Sequence, residues 1–107
     1  MEGLNFELNY EGFEDYLVFK ELEPSMFGAQ VFYRFKFENG YGASVVKSRY
    51  TYGGLQDLWE LAVISWVDDE WGLNYDTPIT DDVEGYLTDE DVRGLLGQIK
   101  ELPHMGY

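Results

Sequence analysis

The stretch AQVFYRFKFENGYGASVVKS, residues 29–48, constrains this chain more than any other. Val31, Tyr33, Phe35 and Phe37 alternate with Gln30, Phe32, Arg34, Lys36 and Glu38. A strand turns successive side chains to opposite faces, so this pattern predicts a half-buried strand with an aromatic core face. Asn39-Gly40 follows, and both residues tolerate the positive φ of a tight hairpin turn. A two-residue loop would pair Glu38 with Tyr41, set Phe37 opposite Gly42 and Tyr33 opposite Val46, and cover the strand glycine with an aromatic ring. That register places Lys47 beside Arg34 and Lys36 on the outer face.

The remaining chain is read around this hairpin. LNFELNYEGFEDY alternates weakly and is either a first strand or an irregular arm. YLVFKEL, residues 16–22, is a strand that ends before Pro24. RYTYGGLQ is a loop around Gly53-Gly54. DLWELAVISW, residues 57–66, is apolar on both faces and predicts a central strand covered on at least one side. VDDE turns the chain, WGLNY returns as an edge or near-edge strand, and Thr77-Pro78 ends it.

Thr88 with Asp91 three residues on reads as a capping box, with Asp where Glu is usual. Val92, Leu95, Leu96, Ile99 and Leu102 then form one apolar stripe at helical spacing, and Pro103 stops the helix. Thr80 reads as the cap of a shorter turn, TDDVEG, that leaves at Gly85. The expectation is one α+β domain over residues 1–107. It has an antiparallel sheet of about four or five strands and a C-terminal amphipathic helix packed on one face. The helix stripe should meet Val31, Tyr33, Phe35, Phe37 and Val46.

Composition narrows the function. The 107 residues hold 21 acids against 7 Lys and Arg, a net charge of −14. Phosphates and anionic membrane surfaces are repelled by such a field and a basic partner is attracted, so neither nucleic acid nor membrane is an expected direct partner. The charge is uneven: −6 over residues 1–24, +3 over 25–56 and −11 over 57–107. With no cysteine, disulfides and thiolate metal sites are excluded. The opening residues lack a basic stretch followed by an apolar run, so no signal peptide is expected. An aromatic content of 18% argues against disorder.

No motif carries catalysis, and no enzyme activity or cofactor is expected. His104, the single histidine, follows the last helix, and no Ser occupies a nucleophile elbow. GYGASV has two glycines of a phosphate-loop pattern but lacks the third, and a hairpin turn explains both. Asp81, Asp82 and Glu84 have the chemistry of a weak Ca²⁺ or Mg²⁺ site without the spacing of a calcium loop, and helix capping accounts for them better. Phe32, Arg34, Lys36 and Lys47 on an open sheet face have the ingredients for single-strand stacking, against the sign of the overall field.

The acids themselves are the remaining candidate. Asp68, Asp69, Glu70, Asp76, Asp81, Asp82, Glu84, Asp89, Glu90 and Asp91 fall in turns and helix starts, which an α+β domain can gather at one end. Duplex DNA carries one charge per roughly 1.7 Å of axis. Such a surface can imitate that density and occupy the basic groove of a nucleic-acid-binding protein, with Trp71, Trp66 and Tyr75 as aromatic anchors. Acidity that serves only solubility is the plainer reading.

The stretches FENGYGASVVKSRYTYGG, ELAVISW and YDTPITDDVEGYLTDEDVRGLLGQI resemble a family of small acidic proteins encoded by tailed bacteriophages, over about residues 31–102. The resemblance implies an accessory protein in the cytoplasm of an infected bacterial host. The class it suggests is an inhibitor of a host defence protein, of the anti-restriction or anti-CRISPR type, some of which mimic DNA. Two other classes stay open. One is a self-assembling module whose aromatic strands pair across a two-fold axis into a homodimer. The other is a sponge for a nucleotide signal that uses Arg34, Lys36, Lys47 and Arg49 as phosphate contacts.

Overall fold

A computed structural model describes residues 5–24, 28–51, 53–79 and 83–104. Six strands form one curled antiparallel sheet: β1 Leu17–Glu23, β2 Gln30–Lys36, β3 Tyr41–Lys47, β4 Trp59–Val67, β5 Glu70–Leu73 and β6 Glu84–Leu87. The order is β1-β2-β3-β4-β5. Because β3 covers residues 60–65 of β4 on one side, β5 and β6 share the other, β5 against residues 64–67 and β6 against 59–61. The helix α1, Asp89–Lys100, packs on β3, β4 and β6. This is the α+β architecture the alternation and the helical stripe predict. No helix among the described residues is long and apolar enough to cross a membrane.

The hairpin register differs from the expected one by a single residue. Tyr33 pairs with Val45, Phe35 with Ala43 and Lys36 with Gly42. The connection therefore has three residues, Glu38, Asn39 and Gly40. Gly40 N–H donates to Phe37 O, Phe37 N–H donates to Tyr41 O, and Gly40 takes a φ of 91°. This is a turn closed by a left-handed glycine, the usual three-residue alternative to the two-residue loop. A one-residue slip turns every side chain of the partner strand over. Ala43, Val45 and Lys47 consequently face the core, and Val46, expected there, lies on the other side. The ring that covers Gly42 is Trp66 and not Phe37. Its Nε1–H donates to Phe35 O at 3.0 Å, and a Cβ on Gly42 would lie 1.9 Å from that oxygen.

Asn39 explains why the longer turn wins. Its Nδ2 donates to Ile99 O, Lys100 O and Leu102 O at 2.9, 3.2 and 2.9 Å, and its Oδ1 accepts from Tyr41 N–H. The last carbonyls of a helix have no partner within the helix. The hairpin turn supplies one from a distant part of the chain. At the other end of α1 the predicted capping box is present, with Thr88 Oγ1 accepting from Asp91 N–H and Asp91 Oδ2 accepting from Thr88 N–H.

The core joins Val31, Tyr33, Phe35, Phe37, Ala43, Val45, Trp59, Leu61 and Val63 of the sheet to Val92, Leu96 and Ile99 of α1. Leu95 and Leu102 pack at its margin. Each large apolar side chain buried there stabilises the fold by about 1.5–3 kcal/mol. Beside the helix, the same face is covered by an irregular arm before β1, with a 3-10 turn at Glu14–Tyr16. Tyr33 anchors this arm: its hydroxyl donates to Phe6 O at 2.8 Å and accepts from Leu8 N–H at 3.1 Å. Burial pushes that hydroxyl's pKa up. Tyr10 stands edge-on to Phe35, and Tyr16 to Phe37, at 5.8 and 5.1 Å.

The short segment after Thr80 departs from expectation. Glu84–Leu87 is a strand paired to Trp59 and Leu61, where a helical turn leaving at Gly85 was predicted. β4 has an open edge beyond the reach of β5, and backbone groups there need partners. The Thr80, Asp81 and Asp82 part of that reading lies outside the described residues.

Candidate functional site

β4 places the acidic residues. Asp68 and Asp69 turn the chain from β4 into β5, with Asp68 in the left-handed region at a φ of 56°. Glu70 and Trp71 open β5, opposite Val67 and Trp66. Asn74 N–H still bonds to Val63 O, so Asp76 leaves near the middle of β4. Glu84 lies opposite Leu61, and Leu87, opposite Trp59, leads into Asp89, Glu90 and Asp91. The acids are not gathered at one end. They are strung along the β4 edge that β5 and β6 share. From Val67 to Trp59 that edge spans about 26 Å at ~3.3 Å per residue. Asp81 and Asp82, the other members of the expected set, lie outside the described residues.

Several of these acids also hold the fold. Asp89 Oδ1 accepts from Trp59 Nε1–H at 2.6 Å, and its Oδ2 accepts from Asn9 N–H at 3.2 Å. Asp91 completes the helix cap. Asp69 lies 3.8 Å from Lys36 Nζ, a wide and exposed pair. Such pairs contribute little to stability. Of the three aromatic anchors, Trp71 and Tyr75 are exposed, whereas Trp66 is half-buried over Gly42.

Lys47 is the main correction. It is 2% exposed on the core face, not on the outer face with Arg34 and Lys36. Its ammonium donates to Asp57 Oδ1 at 2.8 Å and to Asn5 O at 2.7 Å, and sits 4.1 Å from the centroid of Trp59. Asp57 also accepts from Asn5 N–H at 2.7 Å. Burial pushes the Asp57 carboxyl up, but the Lys47 hydrogen bond, the Asn5 N–H and the Lys47 charge together outweigh it and leave the pKa lowered. This cluster clamps the arm to the sheet. The proposed phosphate contacts, and the single-strand platform that also used Lys47, therefore lose that cation. His104 lies exposed beyond α1. Among the described residues no three His, Cys, Asp or Glu side chains come together as a metal-binding group.

The outer face of the sheet is concave. Trp71 of β5 reaches Arg34 of β2, with its ring centroid 4.5 Å from the guanidinium carbon. On a flat sheet three strand spacings, about 14 Å, would separate their backbones. Ile64 and Ala62 lie under this curl and are buried, outside the main core. Sequence reasoning placed Arg34 and Lys36 on this face. It missed Phe19 and Trp71 closing over Arg34, because that contact needs the curl.

Comparison with known protein families, with curated proteins and with solved structures finds no match. The reading of function therefore rests on this chain's own residues.

Proposed function

We propose that the protein is a non-enzymatic inhibitor that lays its acidic β4 edge into the basic nucleic-acid groove of a host protein. One observation carries the reading. Eight described acids, Asp68, Asp69, Glu70, Asp76, Glu84, Asp89, Glu90 and Asp91, follow an edge of about 26 Å. One strand of duplex DNA presents about eight phosphates over that length, at ~3.4 Å each. The Cα trace measures 48 × 24 × 23 Å, a long body with a narrow cross-section that suits a groove. Lys and Arg side chains on the partner would exchange their counterions for these carboxylates, so the complex should weaken steeply with salt. A host defence protein is the target that the resemblance read in residues 31–102 would imply.

The test is capture from bacterial host lysate on the tagged protein, with elution by a salt gradient. A nucleic-acid-binding protein released at rising salt, and displaced by duplex DNA, is the expected result. Charge reversal at Asp68 and Asp69, at one end of the row, and at Glu90, at the other, should each lower the eluting salt. Retention that ignores salt, or capture of nothing, would overturn the reading.

Self-assembly into a homodimer is the second reading. It rests on β5, an edge strand whose Trp71 and Leu73 are exposed, next to exposed Val67. Sedimentation over a range of concentrations separates the two, since only this reading requires a self-associated state.

A further inference from the structure

The concave outer face holds a groove of about 310 Å³ between β1, β2, β4 and β5, lined by Val18, Phe19, Arg34, Lys36, Trp66, Asp69 and Trp71. That volume lies at the lower end of small-molecule sites. Arg34 is its centre. Phe19 and Trp71 flank the guanidinium carbon at 4.3 and 4.5 Å. Two rings packed this close leave the guanidinium its N–H edge for hydrogen bonding. Its Nε is buried and has no hydrogen-bond partner, and among the described residues Arg34 makes no ion pair. Buried donors are almost always satisfied, and a desolvated charge without an anion is costly. Stacking on two rings offsets part of that cost and fixes the fork, while its donors stay unpaired. This is the arrangement that grips two oxygens of a carboxylate or phosphate in two-point fashion.

The other lining groups define the ligand further. Lys36 is committed: its ammonium donates to Asp68 O at 2.6 Å, lies 3.8 Å from Asp69 and sits 5.3 Å above Trp66. Arg34 and Lys36 stand against Asp69 on the groove wall, and Glu21 of β1 also feels the Arg34 charge, so the wall is close to neutral in a strongly acidic molecule. The more distant acids are screened over about 8 Å at physiological salt. The remaining wall is aromatic and aliphatic, with Trp71 and Val18 partly open to solvent. We propose that this groove is a second site, bordering the acidic β4 edge at Asp69 and Trp71, for a flat aromatic molecule carrying one oxyanion group, of the nucleoside monophosphate class. Arg34 grips the phosphate and the indoles take the base.

The experiment is titration of the full chain with AMP and GMP, followed by tryptophan fluorescence and calorimetry. Adenosine and inorganic phosphate serve as the two half-ligands. The monophosphates should quench the indoles saturably, and each half-ligand should bind at least about tenfold more weakly. Arg34→Lys keeps the charge but loses the planar fork, and should weaken nucleotide binding by roughly tenfold or more. Asp69→Asn removes the opposing charge at the rim and should tighten it severalfold, a gain that misfolding cannot mimic. Glu90→Gln, on the acidic edge, should leave it unchanged. No saturable binding at millimolar nucleotide overturns the proposal. Equal affinity for either half-ligand, or affinity unmoved by Arg34→Lys or Asp69→Asn, overturns it as well.

Discussion

Replacing Asp57 with Asn should destabilise the protein more than replacing Lys47 with Met, although the two residues form one ion pair. The difference follows from where each charge sits. Lys47 is 2% exposed, while the Asp57 side chain is 48% exposed. Removing Lys47 leaves a carboxylate that water can reach, and Met refills the space against Trp59 with a stem of similar length. Removing the Asp57 charge leaves an ammonium sealed in the core with Asn5 O and the Trp59 face. Breaking a fully buried pair in that way costs about 3–5 kcal/mol. Here water screens one partner, and the Asn carbonyl still accepts from Lys47, so about 1–3 kcal/mol is expected for Asp57→Asn. Lys47→Met should cost about 0–1 kcal/mol. Asn also suits the left-handed φ of 64° at this position, so backbone strain does not enter the comparison. Thermal unfolding should drop by about 4–24 °C for Asp57→Asn, at ~4–8 °C per kcal/mol. The pH dependence gives a second check. Asp57 is lowered from an ordinary value near 3.8, so its contribution is complete above that pH and is lost as pH falls through the lower folded value. The gap between wild type and Asp57→Asn should therefore hold at neutral pH and close in acid below about 4. An equal or larger loss for Lys47→Met, or a gap that does not close in acid, would refute this account of the clamp.

Three further outcomes can be checked by denaturant unfolding and circular dichroism. Asn39→Ala should cost about 1–3 kcal/mol, because it removes the amide donor shared by Ile99 O, Lys100 O and Leu102 O and the acceptor of Tyr41 N–H; Asn39→Asp should not rescue it, since a carboxylate has no N–H to donate. Gly42→Ala should prevent native folding, with the new Cβ 1.9 Å from Phe35 O. Asp89→Ala should lose about 1–3 kcal/mol by leaving Trp59 Nε1–H and Asn9 N–H without their acceptor, and Asp89→Asn should recover part of this.

The alternation from Val31 to Phe37, the apolar run of β4 and the stripe of α1 were legible because each is a local period imposed by one buried face. The capping box at Thr88 was legible for the same reason, since all its atoms lie within one turn. The hairpin register was not. Asn39-Gly40 fits both a two-residue and a three-residue turn, and the choice is made by α1 carbonyls far along the chain. That slip also hid the role of Lys47, whose place on the core face follows from the true register. β6 was missed because TDDVEG has the residues of a helix start, while Tyr86, at a φ of 60°, interrupts its short strand. Of the candidate site, the acids were legible and their arrangement was not. It depends on β5 and β6 lying end to end on one edge of β4. The Arg34 groove joins residues from β1, β2 and β5, and no local pattern announces a contact made by sheet curvature.

The Asn39 latch has a consequence for how the chain folds. A 12-residue helix with Gly94 and Gly97 inside it is marginal alone, since isolated helices of this length rarely hold in water. The Asn39 amide that caps its C-terminal end, beside the local Leu102 N–H on Ile99 O, arrives only after the β2–β3 turn has closed, across 60 residues of chain. The helix cannot therefore serve as an early nucleus, and its formation should wait on long-range closure of the sheet, the slow kind of step. Once formed, turn and helix end release together. The amides of α1 should accordingly exchange with solvent at the rate set by opening of the β2–β3 hairpin, as one cooperative unit rather than as a fraying end.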